Sequence, residues 1–303
     1  MSVNGEKYML YHYEPSTAAS CVFVVLFGIS AILHIYQLVS KRTWYFIPFV
    51  IGGLFEAIGY VGRLLSSREN YGDWTLGPYI MQTLLILIAP AFFAASIYMV
   101  LGRIIVLTDG EQYSIIRARW LTKIFVAGDV LSFLMQSSGG GMLAQAKTAS
   151  NIKLGENIIT GGLVVQVVFF AFFIFTTGIF HSRIVKAQGG LQASAVPWQQ
   201  YLYILYIAST FIMIRSIFRI AEYVQGSDGA LLSTETYIYV FDATLMFLVM
   251  VIFNLRHPSA IIQGKGQQYS TPVSTGSRDG YPMEDRVPSA TKYQGHGYAR
   301  ESV

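Results

Sequence analysis

"YLYILYIASTFIMIRSIFRIAEYVQG", residues 201–226, is long enough to cross a bilayer, yet it carries Arg215, Arg219 and Glu222. A membrane span needs about 20 mostly apolar residues. Each ionised group at its middle costs roughly 2.5–3.5 kcal/mol on insertion scales. Charges in such a run must face partners inside a bundle, because lipid offers none. The stretch reads as one helix of a multi-span membrane protein with an ionic interior.

Composition agrees. Of 303 residues 53% are hydrophobic and only 13% are charged, against about 25% charged in a soluble domain. The net charge of +4 does not point to nucleic acid, because the basic residues sit in loops between apolar runs. A single cysteine, Cys21, excludes an intramolecular disulfide and a cysteine-based metal cluster. The histidines are His12, His34, His181, His257 and His296, and only His34 falls well inside an apolar run, so no zinc site is expected. The "GKG" at Gly264 lacks the spacing and the Ser/Thr of a phosphate-binding loop, so no ATP hydrolysis is expected. The seventh run has no lysine for a retinal Schiff base, and the sequence signatures of rhodopsin-type receptors are missing. No enzyme activity and no cofactor are expected. The first 17 residues lack an apolar run, so insertion without a cleaved leader is expected.

Hydropathy gives seven runs, at 18–40, 44–65, 77–101, 120–142, 158–181, 200–223 and 236–255. Trp44, Trp74, Trp120 and Trp198 fall at their ends, where aromatic belts sit. The fold expected is an all-α membrane protein, a bundle of seven transmembrane helices. Eight loop residues (Lys41, Arg42, Arg103, Arg117, Arg119, Lys123, Arg183, Lys186) lie on one side, against Lys7, Arg68, Lys147 and Lys153 on the other. That asymmetry predicts an external N-terminus and a cytosolic C-terminus. Three parts follow: an extracellular segment 1–17, a membrane domain 18–257, and a tail 258–303. The tail is rich in Gly, Ser, Gln, Tyr and Pro and reads as disordered.

The polar residues of the runs fall on stripes. Helix two carries Glu56 and Arg63, seven apart on one face with Tyr60 between them, and helix four carries Asp129 and Gln136 with the same spacing. Helix six carries Arg215, Arg219 and Glu222, and helix seven carries Glu235, Tyr239 and Asp242. Helix one adds His34 and helix three Gln82. The stripes are expected to face one another across an interior. At membrane depth Arg63, Arg215 and Arg219 meet Glu56, Asp129, Glu222 and Asp242, which leaves about one carboxylate unpaired. Asp242 is first choice for that spare group, because its own helix offers no cation at depth. Two readings compete: structural glue between helices, or a carboxylate reserved for a cationic or polar head group. Pro90 is expected to kink helix three and free a backbone carbonyl. The glycines of helix two (Gly52, Gly53, Gly59, Gly62) are expected to allow close packing, and Gly139–Gly141 to end helix four.

Several stretches together resemble one known family. They are "FEAIGYVGR" (55–63), "APAFFAASIYMVLGRII" (89–105), "DVLSFLMQSSGGG" (129–141), "RSIFRIAEYVQG" (215–226), "ETYIYVFDATLM" (235–246) and "HP" (257–258). In this order and spacing they resemble the fungal lipid-translocating exporter family, which includes 7-aminocholesterol-resistance and sphingoid-base exporter proteins. The resemblance covers roughly 13–258. It implies a fungal plasma-membrane protein that handles amphiphilic lipid-like molecules such as sphingoid long-chain bases or sterol-like compounds. It also places Arg63, Arg215, Arg219, Glu222, Glu235 and Asp242 within recurring motifs.

The function expected is movement of such amphiphiles between leaflets or out of the cell, with the head group meeting the polar stripes. Membrane lipids and an amphiphilic small molecule are the expected partners, self-association into a homo-oligomer is compatible with the bundle, and nucleic acid is not expected. Two other classes stay open. One is a seven-helix lipid or stress sensor signalling through its tail. The other is porphyrin or haem binding or transport, with His34 and the tyrosines as weak candidate ligands.

Overall fold

Every one of the seven apolar runs is helical in a computed structural model of the chain. The structure describes residues 2–3, 6–7, 11, 13–70, 73–145, 148–187, 198–225 and 234–259. All lie in the first of the chain's two compact units, Met1–Tyr269. The helices are α1 (Thr17–Ser40), α2 (Ile47–Ser66, entered through a 3-10 turn at Trp44–Phe46), α3 (Leu76–Leu107), α4 (Ala118–Gln145), α5 (Ala149–Ala187), α6 (Trp198–Gln225) and α7 (Glu235–Leu255). A two-residue antiparallel ladder, Ser2–Val3 with Glu6–Lys7, precedes them.

Six of these helices are long and apolar enough to cross a membrane, and α4 is the exception. Its 28 residues include Arg119, Lys123, Asp129 and the "QSSGGG" stretch, which dilute its hydropathy. It packs along both α3 and α5 all the same, and so belongs to the bundle. The chain is an all-α membrane protein, with seven such helices among the described residues.

Hydropathy finds the centres of the helices but not their ends. The 39 residues of α5 reach about 58 Å at 1.5 Å per residue, nearly twice a hydrocarbon core of about 30 Å. Its polar turns around Asn151, Lys153, Arg183 and Lys186 continue the helix beyond the apolar run. The helix end expected at the triple glycine is also corrected, since α4 continues to Gln145. Gly139 is there for packing: a Cβ on it would lie 2.7 Å from the Gly155 carbonyl oxygen of α5. On α2, Gly52, Gly59 and Gly62 do the same against α3, where added Cβ atoms would meet Phe93, Ile86 and the Pro78 carbonyl within 3 Å. Small residues let backbones approach where no hydrophobic drive brings helices together.

Each helix packs on its neighbours in sequence, α7 packs back on α1, and α3 also packs on α6. The ring is closed and bridged across its middle. Large apolar side chains such as Ile32, Tyr36, Val168 and Phe175 are more than half exposed or nearly so on its rim, as a lipid-facing surface requires. At the expected boundary of the membrane domain, His257, Pro258 and Ser259 are buried. The Tyr45 hydroxyl donates to the Pro258 carbonyl at 2.9 Å, and the His257 ring meets Phe46 edge-on at 5.4 Å. The tail from 260 onward lies outside the described residues.

Candidate functional site

Pro90 has no amide hydrogen to give the carbonyl four residues earlier. That carbonyl, on Ile86, is taken instead by Arg215 of α6, whose Nη2 donates to it at 2.7 Å. Arg215 Nε donates to Asp242 Oδ1 of α7, also at 2.7 Å, and both side chains are buried. Asp242 sits in a π-helical segment, Tyr239–Thr244, where one extra residue per turn re-aims the side chains. The Thr244 hydroxyl closes the widened turn by donating to the Tyr239 carbonyl at 2.8 Å. One turn further along α6, Arg219 Nη1 donates to Glu222 Oε2 at 2.6 Å, and Arg219 Nε lies 3.6 Å from Asp242 Oδ2. The ionic interior of α6 and α7 is thus a chain: a proline-freed carbonyl, Arg215, Asp242, Arg219 and Glu222.

Glu56 of α2 borders this chain and is fully buried, and neither carboxyl oxygen makes a hydrogen bond among the described residues. Asp242, Arg215 and Arg219 are its charged neighbours. The hydroxyl of Tyr60, one turn on, is likewise buried without a hydrogen bond among the described residues.

Arg63 belongs to a separate cluster at the end of the bundle where α1, α3 and α7 begin. Its Nη2 donates to Glu235 Oε1 and to the Tyr13 hydroxyl, both at 2.8 Å, and its Nε to the Tyr239 hydroxyl at 2.9 Å. Its guanidinium also lies over the Tyr13 and Tyr239 rings, 5.4 and 5.1 Å from their centroids. Glu235 in turn accepts the Ser16 amide at 2.8 and 3.1 Å, while the Ser16 side chain caps α1. Tyr11 packs against Tyr13, Trp74 and Tyr79 and donates to Gln82 Oε1 at 2.8 Å. Burial pushes the Tyr11 phenol up to about 12, which keeps it a neutral donor. Tyr11, Tyr13 and Ser16, ahead of α1, are thus tied to α2, α3 and α7.

The stripe of α4 does not join the others. Gln136 donates to Ser132 Oγ at 2.6 Å and to Gln166 Oε1 of α5 at 3.2 Å, and Ser132 donates to the Gly162 carbonyl at 2.6 Å. This is glue between α4 and α5. Asp129 faces α3, where a groove of about 190 Å³ is walled by Ala91, Phe92 and Ala95 of α3 and Val126, Val130 and Phe133 of α4. It is 4% exposed, its two oxygens are closed off from the surface, and no cation lies beside it among the described residues. The buried Tyr98 hydroxyl is its polar neighbour.

The geometry corrects the sequence reading in two ways. Arg63 pairs with Glu235, outside the interior count, so two carboxylates are left over: Glu56 and Asp129. Asp242, first choice for the spare group, is held by Arg215 and Arg219. His34 lies between α7 and the start of α2: its Nε2 meets the Met250 carbonyl at 3.1 Å, and its ring packs on Phe49 at 4.8 Å. Tyr13, Ser16, Tyr98 and Gln166 were not singled out. Gln166, a lone amide in the run "LVVQVVFF", could have been found by the rule that flagged Gln136. Tyr13 and Ser16 carry no such signal, because they precede the first span.

Comparison with known proteins supplies context for this arrangement. The model of a family described as RTA1 like protein matches residues 49–265. The chain is 37% identical to protoporphyrin uptake protein 1 of Saccharomyces cerevisiae, over 84% of this chain and 94% of that one. It is 31% identical to the probable lipid transporter atnI of Emericella nidulans, over 86% and 70% of the two chains. It is 26% identical to the sphingoid long-chain base transporter RSB1 of S. cerevisiae, over 88% and 77%. No solved structure matches the chain significantly.

Proposed function

Because this chain belongs to the RTA1-like protein family, we propose that it moves amphiphilic, lipid-like molecules between leaflets or out of the cell, without hydrolysing ATP. The relatives named as a lipid transporter and a sphingoid long-chain base transporter support the substrate class. The observation that carries the reading is Glu56: a fully buried carboxyl with no hydrogen bond among the described residues, beside an ion-paired chain on α6 and α7. A buried ionisable group inside a membrane is costly unless it serves binding, ion movement or pairing, and Glu56 lacks the last. In this reading it receives a polar or cationic head group, or the proton that drives the transport, while apolar and aromatic side chains receive the long chain. Arg215, Arg219, Glu222 and Asp242 hold α3, α6 and α7 around it, and Arg63 with Glu235 and Tyr239 closes the end of the bundle. The plasma membrane, with the N-terminus outside, is the proposed setting.

The test is transport of a fluorescent long-chain base in proteoliposomes. Glu56→Gln should fold and lose transport, since the amide strands no cation. Unchanged transport by this variant would reduce Glu56 to architecture.

The relative named protoporphyrin uptake protein 1 supports a second reading, movement of a porphyrin. The interior disfavours it: a porphyrin's propionates would meet the spare carboxyl of Glu56. A Soret band in the purified protein, with saturable porphyrin binding, would reverse that preference.

A further inference from the structure

Glu56 is, we infer, a proton-carrying site, filled from the Glu235 end of the bundle by way of the Tyr60 hydroxyl. This inference rests on the transport reading for the use of the proton only; the proton and its route are tested without transport.

Charge comes first. Arg215 and Arg219 are matched by Asp242 and Glu222, and Arg63 is matched by Glu235. An ionised Glu56 adds one negative charge to that balanced set, and neither of its oxygens makes a hydrogen bond among the described residues. Asp242 of α7, Arg215 and Arg219 of α6 and Tyr60 of its own helix face it. Towards this part of α2, α1 turns Phe23 and Phe27, and α3 turns Ile86. Glu56 is 0% exposed, so a head group does not reach it in this closed arrangement. A proton needs no cavity, and it restores the balance of charge.

Position comes second. Glu56, Tyr60 and Arg63 share one face of α2, and Asp242, Tyr239 and Glu235 form the neighbouring stripe of α7. Glu56 lies about 10 Å along the helix axis from Arg63. The Glu235 side chain is 17% exposed, so the route begins there. The Tyr239 hydroxyl, one turn further in, lies 2.9 Å from Arg63 Nε and 3.0 Å from Ser20 Oγ. Its ring stacks with that of Tyr60 at 6.2 Å between centroids. Tyr60 adjoins Glu56 and Asp242 as well as Arg63 and Tyr239, and so links the two clusters.

The Tyr60 hydroxyl is what packing leaves unexplained. A phenylalanine would fill the space between Phe23, Phe27 and Tyr239 and strand no buried donor. A phenol differs because its oxygen can accept one proton and give up another. A proton arriving on the Tyr60 oxygen is matched by loss of the phenol's own proton to the Glu56 carboxylate, and both groups end neutral. The hydroxyl makes no hydrogen bond among the described residues, so the route is interrupted in this arrangement. A carrier needs such a break, since a continuous path would leak protons. Coupling follows, because one carboxylate cannot hold a proton and a cationic head group together.

The experiment is infrared spectroscopy of the full chain in phosphatidylcholine nanodiscs, exchanged into heavy water. Wild type minus Glu56→Gln should show the carbonyl stretch of a protonated carboxyl, and heavy water should shift it. Glu56→Asp should keep such a band at a displaced frequency, which guards against a folding defect in the amide variant. Tyr60→Phe should keep the band and the unfolding midpoint. Its shift in heavy water should slow about a hundredfold, the lower end of what a positioned proton-transfer group contributes. No band near neutral pH, or a band that never shifts, would overturn the proton site. An unchanged exchange rate in Tyr60→Phe would overturn the route. Dodecyltrimethylammonium, which has no proton of its own to carry, separates coupling from transport. In proteoliposomes with the membrane potential clamped, a gradient of one pH unit should concentrate it about tenfold if one proton exchanges for one cation. Movement indifferent to the gradient would end the coupling and leave the transport reading standing. No movement, with an exchanging band, would end the transport reading and leave the proton site standing.

Discussion

Arg215→Leu should destabilise the protein more than any neutral interhelical contact could. Two groups are stranded by the change, the Asp242 carboxylate and the Ile86 carbonyl. Breaking a buried pair from one side costs about 3–5 kcal/mol, and orphaning a buried carbonyl about 1–3 kcal/mol. The two overlap, and Arg219 Nε, 3.6 Å from Asp242 Oδ2, can relieve part of the charge. A loss of about 3–4 kcal/mol is the expectation. In the double variant Arg215→Leu with Asp242→Leu no charge is left stranded, and only the carbonyl remains orphaned. The double variant should therefore be more stable than Arg215→Leu alone, with a coupling energy of about 2 kcal/mol or more. Hydrogen bonds between membrane helices in bacteriorhodopsin average only about 0.6 kcal/mol by the same kind of cycle. Reversible unfolding in mixed micelles of SDS and a mild detergent measures all four corners. A single-variant loss below about 1 kcal/mol, or additive losses in the double, would refute the ionic chain as a structural element.

Three further outcomes are expected. Gly162→Val should separate α4 from α5, because its Cβ would lie 2.8 Å from Gln136 Cγ and 2.9 Å from the Ser132 carbonyl; overpacking of this kind costs about 1–3 kcal/mol, read as a lower unfolding midpoint and weaker expression. His257 is held neutral by burial, which lowers its pKa from 6.5 to about 4. The unfolded chain then binds the proton first, so this contribution is complete above about pH 6.5 and is lost as the pH falls toward 4; His257→Gln should flatten the acid limb of a pH-stability profile, and an unchanged limb would count against it. A tag placed after Val303 should resist protease added to intact cells, as the loop basic residues require, and cleavage from outside would invert the orientation.

The helices were legible because each needs only an apolar run, and the structure moves their ends outward only where polar turns continue them. The pair Arg219–Glu222 lies within one helix, where a spacing of three puts the two side chains side by side. Pairings between helices are another matter. Whether Asp242 or Glu56 meets Arg215 depends on a π segment at Tyr239–Thr244 and on how helices rotate in the bundle, and neither leaves a mark on residue spacing. Pro90 did leave one: a missing amide hydrogen guaranteed a free carbonyl, though not which arginine would take it. Arg63 falls in a different cluster from Arg215 and Arg219 because its partners, Tyr13 and Glu235, are brought to it by the segment before α1 and a helix start rather than by a span. The stripe of α4 looked like those of α2, α6 and α7 in sequence, yet α4 turns Asp129 to α3 and Gln136 to α5.

The two spare carboxylates are not equivalent, and their difference bears on how a charged head group could cross. Glu56 sits beside Asp242, whose charge is already shared by two guanidiniums, so a visiting cation there meets an environment close to balance and is held loosely. Asp129 has the Tyr98 phenol as its partner and no charged group of the protein beside it among the described residues, and its oxygens are closed off between α3 and α4. A cation that reaches the interior would therefore meet Glu56 and not Asp129. Glu56→Gln should abolish transport of a fluorescent long-chain base in proteoliposomes, whereas Asp129→Asn should leave transport intact and change only stability. If Asp129→Asn lost transport with folding preserved, Asp129 would belong to the path and this division between the two carboxylates would fail.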